Sequence, residues 1–182
     1  MGLYAVIEKF GKIKNSNKIK KLHIHPDRDL SLDIHVSTGS LGQGLPIALG
    51  MALAHKKENI YCIISDGECT EGSIWEAFRI IYDNKISNLK IIIDANGWGG
   101  YDPVNLDSLL NRLKGFGFHI IKVDGHDLKA ISKTLKVKSK KNSPSIVFAY
   151  TSVNQFPFLK DQHAHYHIMN DDEYNNAIDL LK

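Results

Sequence analysis

Two short acidic and glycine-rich segments carry the sequence's clearest chemistry. The first is Ser65-Asp66-Gly67-Glu68, and the second is Asp94-Ala95-Asn96-Gly97-Trp98. Asp66 and Asn96 are 96 − 66 = 30 residues apart, the length of one strand–helix–strand unit. Adjacent parallel strands would then bring both side chains to one rim. A carboxylate and an amide oxygen, completed by a backbone carbonyl, form a hard oxygen-donor set of the kind Mg²⁺ takes, with water or phosphate oxygens filling the remaining positions. Gly67 leaves room for a phosphate to approach backbone N–H groups. The same Asp-Gly and Asn-Gly pairs are also ordinary turn and helix-cap signals, so each segment alone admits a purely structural reading.

A second glycine-rich run, Ser37-Thr38-Gly39-Ser40-Leu41-Gly42-Gln43-Gly44, leads into a helical pattern. Three glycines in six residues make a loop able to pass close to a ligand. The alternative is a tight turn with Ser40 as helix cap.

The elements that must hold these segments follow from apolar patterning. Ile60–Ser65, Leu89–Asp94, Phe118–Val123 and Ser145–Tyr150 are short runs without polar alternation. Such runs suit strands covered on both faces. Between and before them, 42–55, 72–82, 106–114 and 128–137 repeat apolar residues at helical spacing. Alternating strands and helices imply right-handed crossovers and an α/β fold, a doubly wound parallel sheet with helices on both faces. Ligands of such sheets bind at the carboxyl ends of strands, which is where both segments fall. Leu3, Val6, Ile7 and Phe10 begin a further amphipathic helix at the very start.

The 182 residues fit one domain, expected over 1–182. Apolar residues make up 43%, charged residues 24%, and the net charge is +3. The lysine clusters Lys12–Lys21 and Lys133–Lys141 lack interleaved aromatics, so they read as solvated faces and not as a nucleic-acid surface. No apolar run reaches membrane-spanning length. Cys62 and Cys69 are too few for a disulfide framework, and a cytoplasmic location with reduced thiols is expected. His163, His165 and His167 alternate. They would share a side only in an extended segment, and a structural or solvent-exposed role is the reading for His23, His35, His163 and His167. His119 and His126 are expected to satisfy local hydrogen bonds.

Taken together, these segments resemble the transketolase family. Ser37–Gly44 is similar to the family's loop beside the aminopyrimidine of thiamine diphosphate. Ser65–Gly72, continuing to Trp75-Glu76-Ala77, resembles its diphosphate-binding motif, closed by Asp94–Asn96. Gly117-Phe118-His119 and Val123–Asp127 match its next strand and loop. The resemblance implies thiamine diphosphate and Mg²⁺ as cofactors, with Asp66, Asn96 and the Trp98 carbonyl as metal ligands. Gly67 would donate to the diphosphate, and Gly39 and Leu41 would line the pyrimidine end. His25 and His165 would be the catalytic histidines, and Glu71 and Glu76 would lie at an interface between subunits.

Three departures stand out. Ser65 and Tyr166 replace glycines, and the family's Lys-Gly-His-Ala segment is expected ahead of Gly2-Leu3-Tyr4, so the chain reads as truncated at its amino end relative to the family. Nothing in these 182 residues resembles the family's pyrimidine-binding domain. The implied protein is therefore the diphosphate-binding subunit of a split transketolase, in a dimer of heterodimers with a pyrimidine-binding partner, moving two-carbon ketol units between sugar phosphates. The alternatives are a deoxyxylulose phosphate synthase, part of a 2-oxo acid dehydrogenase, and a non-catalytic remnant.

Overall fold

The computed structural model describes residues 2–10, 23–137 and 144–181. The lysine cluster Lys12–Lys21 thus lies outside the described residues, as do Lys138, Lys140 and Lys141 of the later one. The chain forms two units, Met1–Leu41 and Gly42–Lys182.

In the first unit, helix α1 (Gly2–Lys9) buries Tyr4 and Ile7 against Leu32 and Ile34. Leu3, Val6 and Phe10, expected on the buried face, are exposed instead. Residues 4 and 7 share one helical stripe, and Tyr4 wins it because its hydroxyl also finds an acceptor, donating to the His23 carbonyl at 2.6 Å. A 3₁₀ turn at Leu30–Leu32 is capped by Asp29, whose carboxylate accepts from the Ser31 N–H.

The second unit holds a four-stranded parallel sheet: β1 (Ile60–Ser65), β2 (Leu89–Ala95), β3 (His119–Asp124) and β4 (Ser145–Tyr150), in the order β1-β2-β4-β3. Helix α2 (Gly44–Ala54) precedes β1. Helices α3 (Gly72–Asp83), α4 (Leu106–Gly115) and α5 (Leu128–Lys136) connect the strands, and α6 (Asp171–Leu180) follows the sheet. Local chemistry sets their starts. Asn105 caps α4 and Asp127 caps α5 by accepting N–H bonds, and Asn170 with Glu173 forms a capping box on α6. Helix α2 begins at Gly44 behind Gln43 with no side-chain cap, so Ser40 does not play that part.

The sheet's faces differ. Cys62, Ile64, Ile91, Ile93, Ile146 and Phe148 point into one core with α2, α3 and α4. Helix α5 lies on the other face, where Leu128, Ile131 and Leu135 border a groove shared with Tyr61 and Lys90. On that second face Tyr61 is 55% and Ile63 71% exposed. Continuous apolar character suggested burial on both sides of β1. Among the described residues, its outer side is open, because β1 is the edge strand farthest from α5. The register Ser65↔Asp94↔Ala149, with Asp124↔Tyr150 beside it, levels the strand ends. This rim carries the residues singled out in the sequence.

Candidate functional site

Asp66 leaves the end of β1 and is fully buried. Its N–H donates to the Asp94 carbonyl at 3.0 Å, carrying the ladder one residue past the strand. Its two carboxylate oxygens each accept a backbone N–H, from Gly67 at 2.8 Å and from Gly97 at 2.7 Å. Burial pushes the Asp66 carboxyl above the ordinary aspartate range. The two N–H bonds oppose that shift, and the neighbouring Asp94 charge adds to it. A dehydrated carboxylate beside a second carboxylate is an arrangement that a cation would relieve.

Facing Asp66 is the loop 96–104. Asn96 Oδ1 accepts from the Trp98 N–H at 2.7 Å, an Asx turn that bends the chain directly after β2. Gly97 takes φ +84°, and its carbonyl accepts from Val104 N–H at 2.8 Å. Gly99 N–H donates to the Asp102 carbonyl at 2.9 Å. A Cβ on Gly67 would lie 3.0 Å from the Gly99 Cα and 3.8 Å from the Trp98 carbonyl oxygen. The two backbones thus meet so closely that a side chain on Gly67 would have to push the Gly99 backbone aside, and the Trp98 carbonyl borders the Asp66 turn. The turn holds a buried carboxylate, and the loop bonded to it holds an amide oxygen with a second lone pair and a backbone carbonyl, oxygen donors of the kind Mg²⁺ takes. The Gly67 N–H is given to Asp66 Oδ1, so it reaches a phosphate only by sharing or leaving that bond.

The turn after Asp66 is held by a pair that the sequence reading passed over. Ser65 Oγ accepts from Glu68 N–H at 3.0 Å, and Glu68 Oε2 accepts from Ser65 N–H at 3.1 Å. Ser-x-x-Glu is the signature of a capping box, so a legible signal was present. Ser65 therefore serves as a cap where the family has glycine. Glu68 Oε1 also accepts from Gly42 N–H at 3.1 Å, tying the end of the glycine-rich run to this turn. Gly42 has φ +80°, and a Cβ there would lie 2.7 Å from that of Glu71. Glu71 stands half-buried at the start of α3. Glu76 lies on α3, paired with Arg79.

Beside the loop lies a cavity of about 150 Å³ bordered by Asn96, Trp98, Asn154, Asp161 and His165. His165 ends a 3₁₀ turn, Asp161–His165. The segment is not extended, so the three late histidines do not share a side. Among the described residues, no cluster of three or more His, Cys, Asp or Glu side chains could hold a metal. His167 pairs with Glu173 at 3.0 Å, and His126 Nε2 accepts from Ser152 N–H at 3.0 Å. Cys62 and Cys69 are buried, and burial, reinforced by nearby carboxylates, pushes their thiols up to about 11 and about 12. They are packing residues and not nucleophiles.

In the first unit His25 and Gly39 meet. A Cβ on Gly39 would fall 2.7 Å from the His25 ring, and Gly39 takes φ +122°, so this contact requires glycine. Leu41, at the end of that unit, is half exposed. Among the described residues, no helix is long and apolar enough to cross a membrane.

Comparison with known proteins gives a consistent set of relatives. The model of the transketolase thiamine diphosphate binding domain matches residues 6–177. Human transketolase-like protein 2 is 36% identical over 165 residues, covering 82% of this chain and 26% of that protein. One of the named subunits of the apulose-4-phosphate transketolase of Actinobacillus succinogenes is 33% identical over 172 residues, covering 89% of this chain and 62% of its relative. Among solved structures, the transketolase of Campylobacter jejuni aligns with a TM-score of 0.65 at 28% identity, covering 76% of this chain and 24% of that one. The chain thus spans about a quarter of the length of the transketolases it matches.

Proposed function

The chain belongs to the transketolase family, in its thiamine diphosphate binding domain, and from that premise we propose that it is the diphosphate-binding subunit of a split transketolase, working with Mg²⁺ and a separate pyrimidine-binding chain. The partner is argued from the apulose-4-phosphate transketolase relative, which by its name is one subunit of a larger enzyme. Two such pairs, meeting through Glu71 and Glu76, would form the complete assembly.

The observation that carries the metal reading is Asp66: a fully buried carboxylate, held by N–H groups from two strand ends, one of them Gly97 between Asn96 and Trp98. Asp66, Asn96 and the Trp98 carbonyl would hold Mg²⁺, whose charge would offset that of the diphosphate. When bound, thiamine diphosphate supplies the carbon nucleophile and electron sink for cleaving and forming carbon–carbon bonds in sugars. The chain's own residues anchor and orient it. His165, at the cavity edge, would exchange a proton with a substrate hydroxyl, a task to which an imidazole is suited.

The test is calorimetric titration of thiamine diphosphate and Mg²⁺ into the chain with its partner, comparing wild type with Asp66→Ala. Saturable, Mg²⁺-dependent binding in wild type and its loss in the variant is the expected result. Absence of binding in a well-folded wild-type complex would overturn the reading.

A further inference from the structure

Directly after the Trp98 carbonyl the loop runs through Gly99 and Gly100, two residues with no side chain of their own to anchor them. Its anchor comes from residues more than sixty positions later. Gln162 Nε2 donates to the carbonyls of Gly99 at 2.9 Å and Gly100 at 3.0 Å. The Tyr166 hydroxyl donates to the same Gly100 carbonyl at 2.8 Å. Gln162 Oε1 is buried without a partner. The opposite amide orientation would bring that oxygen against two carbonyl oxygens, so the donor assignment follows from the acceptors it faces.

His165 sits between these two anchors. Its ring centroid is 5.2 Å from that of Tyr166, and its Nε2 is 4.0 Å from where a Cβ on Gly100 would lie. One three-bond clasp therefore fixes both the backbone that follows Trp98 and the turn that carries His165.

We propose that Gln162 and Tyr166 are positioning residues that lock the Trp98 carbonyl and the His165 imidazole into a single frame, setting the metal side and the proton-transfer side of the site together. The metal part of this inference rests on the function proposed above; the clasp does not.

The experiment uses the full chain labelled with 5-fluorotryptophan, whose two tryptophans, Trp75 and Trp98, give two fluorine resonances. The probe is MnCl₂ with inorganic pyrophosphate. In wild type, Mn²⁺ should broaden the Trp98 signal before that of Trp75. Tyr166→Phe removes one donor and keeps the ring, and Tyr166 is 64% exposed, so the unfolding temperature should hold. It should shift the metal-free Trp98 resonance, leave Trp75 in place, and raise the Mn²⁺ concentration for half-broadening roughly fivefold, the effect of one hydrogen bond. Gln162→Ala should act in the same direction and more strongly. A Tyr166→Phe chain with the wild-type Trp98 resonance and Mn²⁺ midpoint would overturn the clasp. If Mn²⁺ never selects Trp98 in wild type, the metal reading fails, and the metal-free shift alone decides the clasp.

Discussion

Asp66 and Gly67 illustrate how much a single position does here. Asp66 spends two acceptor sites on backbone N–H groups and keeps further lone pairs for a cation, while its burial makes an uncompensated charge unfavourable. Gly67 permits the turn of β1 to touch the loop after β2, since a Cβ would lie 3.0 Å from the Gly99 backbone. Gly67→Ala should therefore destabilise the chain by about 1–3 kcal/mol, the usual cost of overpacking a contact that backbone must relieve. Urea unfolding of the two chains measures it, and unchanged stability would show that the two backbones have slack. The histidines make the opposite point. His126 and His167 are absorbed by a backbone N–H and by Glu173, which leaves His165 as the late histidine at the cavity.

At the scale of elements, β1 separates two neighbouring isoleucines. Ile64 is 1% exposed in the core with α2 and α3, whereas Ile63 is 71% exposed on the open outer face. Ile64→Ala should cost about 2–5 kcal/mol, and Ile63→Ala no more than about 0.5 kcal/mol in the chain by itself. Thermal denaturation of the pair tests the assigned faces, and equal losses would mean that the outer side of β1 is covered in solution. The strands also explain why the site forms where it does. Parallel pairing in level register brings Asp66, Asp94, Asn96 and Thr151 to one edge, with the Thr151 hydroxyl donating to Asp94 and its N–H to the Ala95 carbonyl.

For the whole molecule, the family and its cofactor domain are established, and the proposed split enzyme draws its remaining catalytic groups from a second chain. In the proposed function the residues described would supply a diphosphate anchor, a metal donor set and a histidine. They include no counterpart of the pyrimidine-binding domain that the family resemblance implies. The proposed split enzyme predicts no ketol transfer from the chain alone and its appearance on addition of the partner. A coupled assay of sugar-phosphate turnover, run with sedimentation to follow assembly, reads both. Full activity from the chain alone would sink the two-subunit reading.

The sequence by itself determined the element order, the strand positions to within a residue, and the identity of the Asp66–Gly67 and Asn96–Trp98 segments. Those features follow from local causes: apolar runs for strands, helical spacing for helices, capping side chains, and glycines at turns. Only the tertiary structure decided which side of β1 is covered and which stripe of α1 is buried. It also decided that Gly97 would close on Asp66, and that Gln162 and Tyr166 would hold Gly99 and Gly100. These contacts join residues 31, 62, 63 and 66 positions apart. They depend on the order β1-β2-β4-β3 and on where the chain returns after β4. A lone glutamine and a tyrosine in a polar stretch carry no periodicity that points to their acceptors, because hydrogen-bond partners brought together by packing leave no trace in local spacing.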